Sequence, residues 1–323
     1  MIKNLIILIP VFNDWPSFAK LVEEISQLNR KNSLESIHIL AINDGSTLTP
    51  ETKSLEQRQD KTQVSILHLN RNVGHQNAIA AGLGWVAQSE ENFDAVVIMD
   101  GDGEDKPQDI AQLIDKAEAN PGHIVIAARG RRNESLTFRM GYGVYKLLFR
   151  LFTGFRISFG NFSLIPTSCL TQLVNSREIW HSYAGGVLRS RIPRTMVQID
   201  RGTRYYGQSK MNFTGLILHG LSAISVFVDI CTVRVLMMTL GFITLSALGI
   251  GTVVTMKFLG LSSPGWSSTM ALLMLVISMQ CVLLSFFLIF ILFIYRNMNT
   301  QIPVNASNTL VKDVSHSSSE RIL

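Results

Sequence analysis

The chain has 323 residues, of which 47% are hydrophobic and only 16% are charged. Soluble proteins are usually about 25% charged, so this composition argues against an ordinary soluble protein. The formal net charge of +5 is compatible with binding to nucleic acid or to anionic lipid headgroups. Because no nucleic-acid-reading motif accompanies the charge, we favour attraction to the lipid headgroups. Cys169, Cys231 and Cys281 form no spaced set, so we expect neither a disulfide framework nor a zinc site.

The first 130 residues alternate short apolar runs with amphipathic segments. This pattern predicts strands over 3–10, 36–43, 63–69, 94–100 and 123–128, and helices over 16–29, 74–88 and 107–120. Such alternation is typical of an α/β domain with a parallel sheet and helices on both faces. The first run is too short to span a membrane and lacks the cleavage pattern of a signal peptide.

Polar residues follow the first three predicted strands. The first ends in Pro10-Val-Phe-Asn-Asp14, the second in Asn43-Asp-Gly-Ser46, and the third in Asn70-Arg-Asn-Val-Gly-His75. Each motif alone is also compatible with an ordinary capped turn. Because ligands bind at the carboxyl ends of the strands in open α/β sheets, the three together predict a ligand-binding edge.

The fourth predicted strand runs directly into four acidic residues, which are Asp100, Asp102, Glu104 and Asp105. Crowded carboxylates repel one another unless a cation neutralises them, and Mg²⁺ or Mn²⁺ binds such oxygen ligands together with substrate phosphates. A calcium loop of the EF-hand type is disfavoured, because Asp105 stands where that loop needs Gly and Ala111 where it needs Glu. The acids therefore predict a metal-assisted site for a phosphorylated ligand.

Residues 131–230 are less regular than the preceding part of the chain. Two segments, 138–155 and 212–229, carry an apolar stripe next to basic residues. These stripes predict helices that lie in the membrane interface, although such helices could also simply pack on the domain.

The C-terminal part contains two long uncharged stretches. No Asp, Glu, Lys or Arg occurs between Arg234 and Lys257, or between Lys257 and Arg296. A transmembrane helix needs about 20 apolar residues, so we predict spans near 235–256 and 270–294 rather than two buried core helices. Basic residues flank the spans while only Lys257 lies between them, so the positive-inside rule places both termini in the cytoplasm.

The ordered set of motifs resembles family-2 glycosyltransferases of the polyprenyl-phosphate branch, which includes dolichol-phosphate mannose synthases and bacterial undecaprenyl-phosphate glucosyltransferases. Besides the strand ends and the acids, the matching motifs are Arg129, residues 154–162 and residues 204–210, followed by two spans as in the bacterial members. The resemblance covers roughly residues 4–296.

The resemblance implies an α/β fold in which a Rossmann-like GT-A nucleotide-sugar-binding domain is joined to interfacial helices and two C-terminal transmembrane helices. The implied parts are a cytoplasmic catalytic domain over 1–210, a juxtamembrane amphipathic helix over 211–232, a transmembrane hairpin over 233–296 and a disordered polar tail over 297–323.

The resemblance also implies roles for the matching residues. The nucleoside of the donor would contact Pro10, Phe12, Asp14, Ile42, Asp44 and Gly101. Asp100 and Asp102 would form the catalytic Asp-X-Asp element and bind Mg²⁺ or Mn²⁺, with Glu104 as a third ligand. Phosphates of donor and acceptor would bind Arg129, Arg204 and Lys210.

Several positions differ from the usual pattern of the family. Phe12 replaces Tyr, Asp14 replaces Glu, Asn43 replaces Asp, and Gly101 and Gly103 replace Ala and Leu. Glu104 replaces Gln, which adds a negative charge at the metal site. These differences concern the donor sugar and the metal rather than the class of reaction.

The expected reaction is metal-dependent, inverting transfer of a hexose from a nucleotide sugar, first of all UDP-glucose, to a polyprenyl phosphate in the inner membrane. A polysaccharide synthase is one alternative, but its usual Gln-X-X-Arg-Trp element does not occur in the sequence. A non-catalytic membrane adaptor is another, against which the intact acidic cluster argues. The expected partners are the donor, the lipid acceptor and the bilayer, without nucleic acid, and a homo-oligomer held by the spans is compatible with the sequence.

Overall fold

The structure is a computed structural model that describes residues 1–29, 34–49, 62–129, 136–155, 159–206, 220–298 and 303–316. Its strands are β1 (Asn4–Val11), β2 (Ser36–Asn43), β3 (Thr62–Leu69), β4 (Ala95–Ile98), β5 (Ile124–Arg129), β6 (Phe159–Pro166), β7 (Arg194–Ile199) and β8 (Val311–His316). Its α-helices are α1 (Trp15–Asn29), α2 (His75–Val86), α3 (Ile110–Ala119), α4 (Leu136–Thr153), α5 (Thr167–Val174), α6 (Tyr183–Arg189), α7 (Val228–Phe258), α8 (Trp266–Met298) and α9 (Pro303–Leu310).

The strands form one sheet in the order β7-β5-β6-β4-β1-β2-β3-β8. Parallel ladders join β4, β1, β2 and β3, and another parallel ladder joins β5 to β7. Strand β6 runs antiparallel to both β4 and β5, and β8 runs antiparallel to β3. The predicted α/β fold is confirmed, but the sheet is mixed rather than wholly parallel.

Apolar side chains explain why the central strands form. Strand β1 is buried from Leu5 to Val11, and β4 is buried over its whole length, as is usual for parallel strands between two layers of helices. Leu8 pairs with Leu40 on one side and with Ile98 on the other. This register brings the carboxyl ends of β1, β2 and β4 to the same edge of the sheet, so the polar residues that follow them meet there.

The strands and helices predicted for the first 130 residues are confirmed, with small shifts at their ends. The clearest shift is in the helix predicted over 107–120. Pro107–Asp109 forms a single 3₁₀ turn, and α3 begins only at Ile110.

The polar tail differs from the expectation for it. Residues 297–323 were expected to be disordered, but α9 and β8 occupy 303–316, so the expectation is wrong for this stretch. Only Val311 and Val314 carry apolar side chains in β8, and they are half-buried. The strand forms through its backbone ladder with β3, and such a ladder leaves little trace in the pattern of side chains.

The chain divides into two compact units. One comprises Met1–Val144, Arg156–Val226 and Gln301–Leu323, and the other comprises Tyr145–Phe155 and Phe227–Thr300. The domain boundary predicted at 210 falls on residues outside the described ranges. The juxtamembrane helix predicted over 211–232 does so in part, and both stay predictions.

The second unit contains the two predicted spans. Val228–Phe258 and Trp266–Leu292 are long and apolar enough to cross a membrane. Of the most apolar 18 residues of each helix, 11% and 0% are buried, whereas the core helices of a soluble protein are mostly buried. The helices contact each other through hydroxyl groups: the Oγ1 of Thr239 lies 3.0 Å from the Oγ of Ser285, and the Oγ of Ser246 donates to the carbonyl of Met274 at 2.8 Å.

Helix α4 corresponds to the amphipathic segment predicted over 138–155. Leu147, Leu148 and Leu151 are exposed on it, next to the exposed Arg150. The helix itself is confirmed, and its position in the membrane interface stays a prediction.

Candidate active site

The acidic loop, residues 100–105, follows β4 at the carboxyl edge of the sheet. The backbone N–H of Asp100 donates to Oδ2 of Asp105 at 2.9 Å, and that of Glu104 donates to Oδ1 of Asp102 at 3.0 Å. Asp105 is only 5% exposed, so its carboxylate shapes the loop from inside. Asp100, Asp102 and Glu104 are partly exposed, and they are the acids that a ligand can reach.

The arginine loop, residues 200–206, follows β7 and packs on the acidic loop. Backbone N–H groups of Gly202 and Tyr205 donate to the carbonyls of Glu104 at 2.8 Å and Asp102 at 2.9 Å. Gly103 has a φ of +90°, and a Cβ on it would lie 2.7 Å from the ring of Tyr205. Glycine is therefore required here by the backbone conformation and by the closeness of the ring.

Two guanidinium groups neutralise the acids. In Arg204, Nη1 lies 3.3 Å from Oδ2 of Asp102, and Nη2 lies 3.3 Å from Oδ2 of Asp14. Arg201 forms an ion pair with Glu104. These pairs relieve the repulsion between neighbouring carboxylates. Sequence reasoning did not identify Arg201 as a site residue, because its contact depends on how two distant loops pack and not on a local spacing.

An imidazole and a side-chain amide lie close to the carboxylate of Asp100. The Nε2 of His75 lies 3.2 Å from Oδ1 of Asp100 and 2.9 Å from Nδ2 of Asn161 on β6. Desolvation disfavours the imidazolium, but the surrounding carboxylates, Asp100 foremost, outweigh it and raise the pKa of His75. His75 was not among the predicted site residues, and the structure places it in contact with the first acid.

Asp44, which was predicted to contact the donor nucleoside, has both carboxylate oxygens engaged by the backbone. It is 3% exposed, and it accepts hydrogen bonds from the N–H groups of Val73 at 2.7 Å and Gly74 at 3.0 Å. Burial raises its pKa. The carboxylate thus fixes the turn that leads into α2, and its contact with a nucleoside stays a prediction.

Ile42, also predicted to contact the nucleoside, has a buried side chain. It has 0% exposure, and its Cδ1 would lie 2.7 Å from a Cβ on Gly82 of α2. The side chain is part of the core between the sheet and α2, so a contact with a nucleoside would have to come from the backbone, and it stays a prediction.

The other predicted nucleoside residues lie at the expected edge. Pro10 is buried at the end of β1, and its carbonyl oxygen would lie 3.7 Å from a Cβ on Gly101. Phe12 is 44% exposed, which leaves an aromatic surface free at the edge. Asp14 accepts from the hydroxyl of Ser17 at 2.6 Å in addition to its pairing with the arginine loop.

The side chains of two predicted phosphate-binding residues lie outside the described part of the structure. Arg129 is the last residue of β5, and its side chain lies outside the described part of the structure. Lys210 lies outside the described residues altogether. Their roles stay predictions.

The acids suit a divalent metal. Among the described residues, no group of three His, Cys, Asp or Glu side chains is arranged to hold a metal ion. Glu104, predicted as the third ligand, is paired with Arg201. Because Asp102 is also paired with an arginine, this pairing does not decide the role of Glu104, which stays a prediction. Mg²⁺ is commonly bound by one or two carboxylates plus substrate phosphates, and Asp100 and Asp102 can supply two. The residues therefore fit a metal that the phosphates of a ligand help to bind.

The sequence model of the family described as Glycosyl transferase family 2 matches residues 6–180, more than half of the chain. The chain belongs to glycosyl transferase family 2. The matched range contains the acidic loop and His75, whereas the arginine loop follows it.

This glycosyltransferase is similar to several named proteins and solved structures. The Synechocystis protein named uncharacterized glycosyltransferase sll0501 is 26% identical, over 87% of this chain and 88% of its own length. The undecaprenyl-phosphate 4-deoxy-4-formamido-L-arabinose transferase of Photorhabdus laumondii is 25% identical over 67% of this chain, and this chain spans 65% of that relative. Among solved structures, glucosyl-3-phosphoglycerate synthase from Mycobacterium tuberculosis in complex with Mn²⁺, UDP and phosphoglyceric acid aligns with a TM-score of 0.49 and 14% identity, over 71% of this chain and 78% of that chain.

The packing of the two loops can be tested at Gly103. We expect Gly103→Ala to lower the free energy of unfolding by about 1–3 kcal/mol, because it adds strain at positive φ and a clash with Tyr205. Gly122→Ala is the matched control, since Gly122 has a φ of +73° but nothing within 4 Å of a Cβ. Thermal unfolding of both variants measures the difference, and equal shifts in melting temperature would contradict the contact with Tyr205.

The charge at His75 predicts a pH-dependent stability. Because its folded-state pKa lies above the unfolded value of about 6.5, the stabilisation is fully present below that pH and is lost as the pH rises through the folded-state pKa. In EDTA, we expect His75→Gln to lower the melting temperature at pH 6 and to change it little at pH 9. His181→Gln, at an exposed histidine, serves as the control. A loss of stability that is equal at both pH values would contradict the prediction.

Proposed function

We propose that this glycosyltransferase transfers a hexose from a nucleotide diphosphate sugar to a polyprenyl phosphate, with UDP-glucose as the first candidate donor. The observation that carries the proposal is the meeting of Asp100, Asp102 and Arg204 at one sheet edge, in a family-2 chain that also has two helices apolar enough to cross a membrane. The acceptor is suggested by the relatives that are named undecaprenyl-phosphate transferases.

The charges at the edge suit the departure of a nucleoside diphosphate. As the bond between the anomeric carbon and the diphosphate breaks, the diphosphate gains negative charge, which a divalent ion held by Asp100 and Asp102 would neutralise. Arg204 already presents two N–H-bearing nitrogens to carboxylates at this edge, and the same planar fork can donate to phosphate oxygens. Arg129 and Lys210 are proposed as further phosphate contacts.

The nucleophile of the proposed reaction needs no strong base. The second pKa of a phosphate monoester is near 6, so the lipid phosphate is largely a dianion at neutral pH. One of its oxygens would attack the anomeric carbon while the diphosphate leaves with the bonding electrons. A single displacement of this kind inverts the configuration at that carbon. The task of the protein is then to align the two phosphorylated substrates.

We call the compact unit that contains the sheet, Met1–Val144, Arg156–Val226 and Gln301–Leu323, the catalytic unit. We further propose that this unit and both termini lie on the cytoplasmic face of the inner membrane. Arg156–Val226 and Gln301–Leu323 belong to the same unit, so two crossings by α7 and α8 between them would return the chain to the face that it left. Arg234 and Arg296 flank the uncharged stretches on that side, which agrees with the positive-inside rule. The exposed leucines of α4 suit contact with the bilayer.

The proposal is tested with purified full-length protein, a panel of nucleotide sugars, Mg²⁺ or Mn²⁺, and undecaprenyl phosphate in detergent. We expect a glycolipid of the corresponding mass with one donor, no product when EDTA replaces the metal, and no product when undecaprenol replaces its phosphate. Nuclear magnetic resonance of the product gives the anomeric configuration. Folded protein that yields no glycolipid with any donor would contradict the proposal, and product formed equally well in EDTA would contradict the role of the metal.

A further inference from the structure

The segment 303–316, which follows α8 in the chain, completes the catalytic unit. Strand β8 extends the sheet beyond β3, with Leu67 opposite Val314 and His68 opposite Asp313. Helix α9, just before it, packs on α2. This C-terminal segment therefore touches both elements that are joined by the turn 70–74, which leads from β3 into α2 at the ligand edge.

Asn70, the first residue of that turn, binds the end of α9. Its backbone N–H donates to the carbonyl of Leu310 at 2.9 Å, and its Nδ2 donates to the carbonyl of Thr309 at 3.1 Å. The last carbonyl groups of a helix have no partner inside the helix, so Asn70 satisfies two of them. The same contact ties the start of the turn to the C-terminal segment.

The far end of α2 is held by the same segment. Ser307 is 0% exposed, and a Cβ on Gly84 would lie 3.0 Å from the Cβ of Ser307. The Nε2 of Gln88 donates to the Oγ of Ser307 at 2.9 Å, and the Nδ2 of Asn308 donates to the Oε1 of Gln88 at 3.1 Å. This close, polar fit makes α9 a specific partner of α2 rather than a loose cover.

The turn 70–74 is thus fixed at both ends. Asp44 binds the N–H groups of Val73 and Gly74 at its end, and α9 binds Asn70 at its start. His75 follows immediately and contacts Asp100 of the acidic loop. The position of His75 beside the acids therefore depends on two supports, one of which comes from beyond the apolar hairpin.

We propose that segment 303–316 is a positioning element of the active site, which holds the turn 70–74 and His75 in place for donor binding. It acts through Asn70 and α2 and touches no reacting atom. The effect on catalysis rests on the proposed function, whereas the effect on the order of the turn does not. The competing interpretation is that the segment only covers the edge of β3.

Two full-length variants separate these interpretations. Asn70→Ala removes the side-chain bond to Thr309 and keeps the strand ladder, and we expect it to raise the KM for the donor about fivefold with little change in melting temperature, as for the loss of one hydrogen bond. Asn175→Ala removes a comparable bond, from the Nδ2 of Asn175 to the carbonyl of Thr171 on α5 at 2.8 Å, outside the segment and the turn, and should leave the KM unchanged. Equal KM values for Asn70→Ala and the unaltered protein would overturn the proposal.

A chain that ends after Met298 gives a second test, with a synthetic peptide of residues 301–316 added back. We expect faster hydrogen exchange in residues 70–75 and weaker binding of UDP with Mn²⁺, and we expect the peptide to restore both. A peptide with Asp313→Pro and Val314→Pro should not restore them, because one of two adjacent N–H groups faces β3 in an antiparallel ladder. Unchanged exchange in residues 70–75 of the shortened chain would overturn the proposal, and if that chain does not fold, the Asn70→Ala comparison decides.

Hydrogen exchange needs no substrate, so it distinguishes the two proposals. Exchange that responds to the peptide in a protein without transferase activity would support the positioning element and contradict the proposed function. Sugar transfer that proceeds with a loosened turn and an unchanged KM for the donor would support the proposed function and contradict the positioning element.

Discussion

Asp102→Asn is expected to reduce sugar transfer by about 10²-fold or more, while the protein still folds. The substituted side chain has the same shape, and its oxygen can still accept the hydrogen bond that Glu104 donates to Asp102. It lacks the negative charge that would hold a divalent ion against the diphosphate. Transfer rates with the best donor at several Mg²⁺ concentrations provide the measurement, and excess metal should restore activity only in part.

Asp115→Asn serves as the control for this variant, since Asp115 is an exposed residue of α3 away from the strand ends. It should leave transfer and melting temperature unchanged. Undiminished transfer by the Asp102→Asn protein would contradict the assigned role of the acid. A cellular phenotype that survives the substitution would instead favour the adaptor interpretation.

Arg204→Ala is expected to lower transfer by about 10²-fold while it strengthens the binding of Mn²⁺. Transfer falls because the phosphates of the nucleotide sugar lose a hydrogen-bonding guanidinium group. Metal binding improves because Asp14 and Asp102 each lose a guanidinium nitrogen at 3.3 Å, so the site becomes more negative. Titration calorimetry with Mn²⁺ in the absence of a donor measures the second effect separately from the first.

Arg204→Lys is the matched variant, because it keeps the positive charge and loses the planar fork that reaches two carboxylates at once. Its transfer rate should lie between those of the unaltered protein and Arg204→Ala, with Mn²⁺ affinity close to the unaltered value. If Mn²⁺ affinity and transfer fell together in Arg204→Ala, the arginine would be a structural support of the loop and not a phosphate ligand.

The acidic loop was predictable from the sequence because its signal is local. An apolar strand that ends in several acids places those acids at the carboxyl edge whatever the rest of the fold. Phe12 and Asp14 lie at the same edge for the same reason. The partners of the acids were less predictable, since Arg201 and His75 reach Glu104 and Asp100 through loops that are far away in the sequence.

Two positions show what local patterns leave out. Asp44 has the sequence of a ligand-binding strand end, and only the fold shows that its oxygens bind the backbone of the next turn, because burial requires partners for both of them. Residues 311–316 lack an apolar pattern, yet they form a strand, because pairing at an edge depends on the backbone of β3 and not on a buried face.

The position of β8 at the outer edge of the sheet has a consequence for the synthesis of the protein. Chains grow from the N-terminus at about 5–20 residues per second, so roughly ten to fifty seconds separate the appearance of β3 from that of β8. During this time the edge of β3 presents free N–H and C=O groups, to which another extended chain can add. If α7 and α8 cross the membrane as proposed, slow insertion of these helices would lengthen this interval. We therefore expect the risk of aggregation during expression to depend on the speed of membrane insertion, even though the vulnerable strand belongs to the catalytic unit.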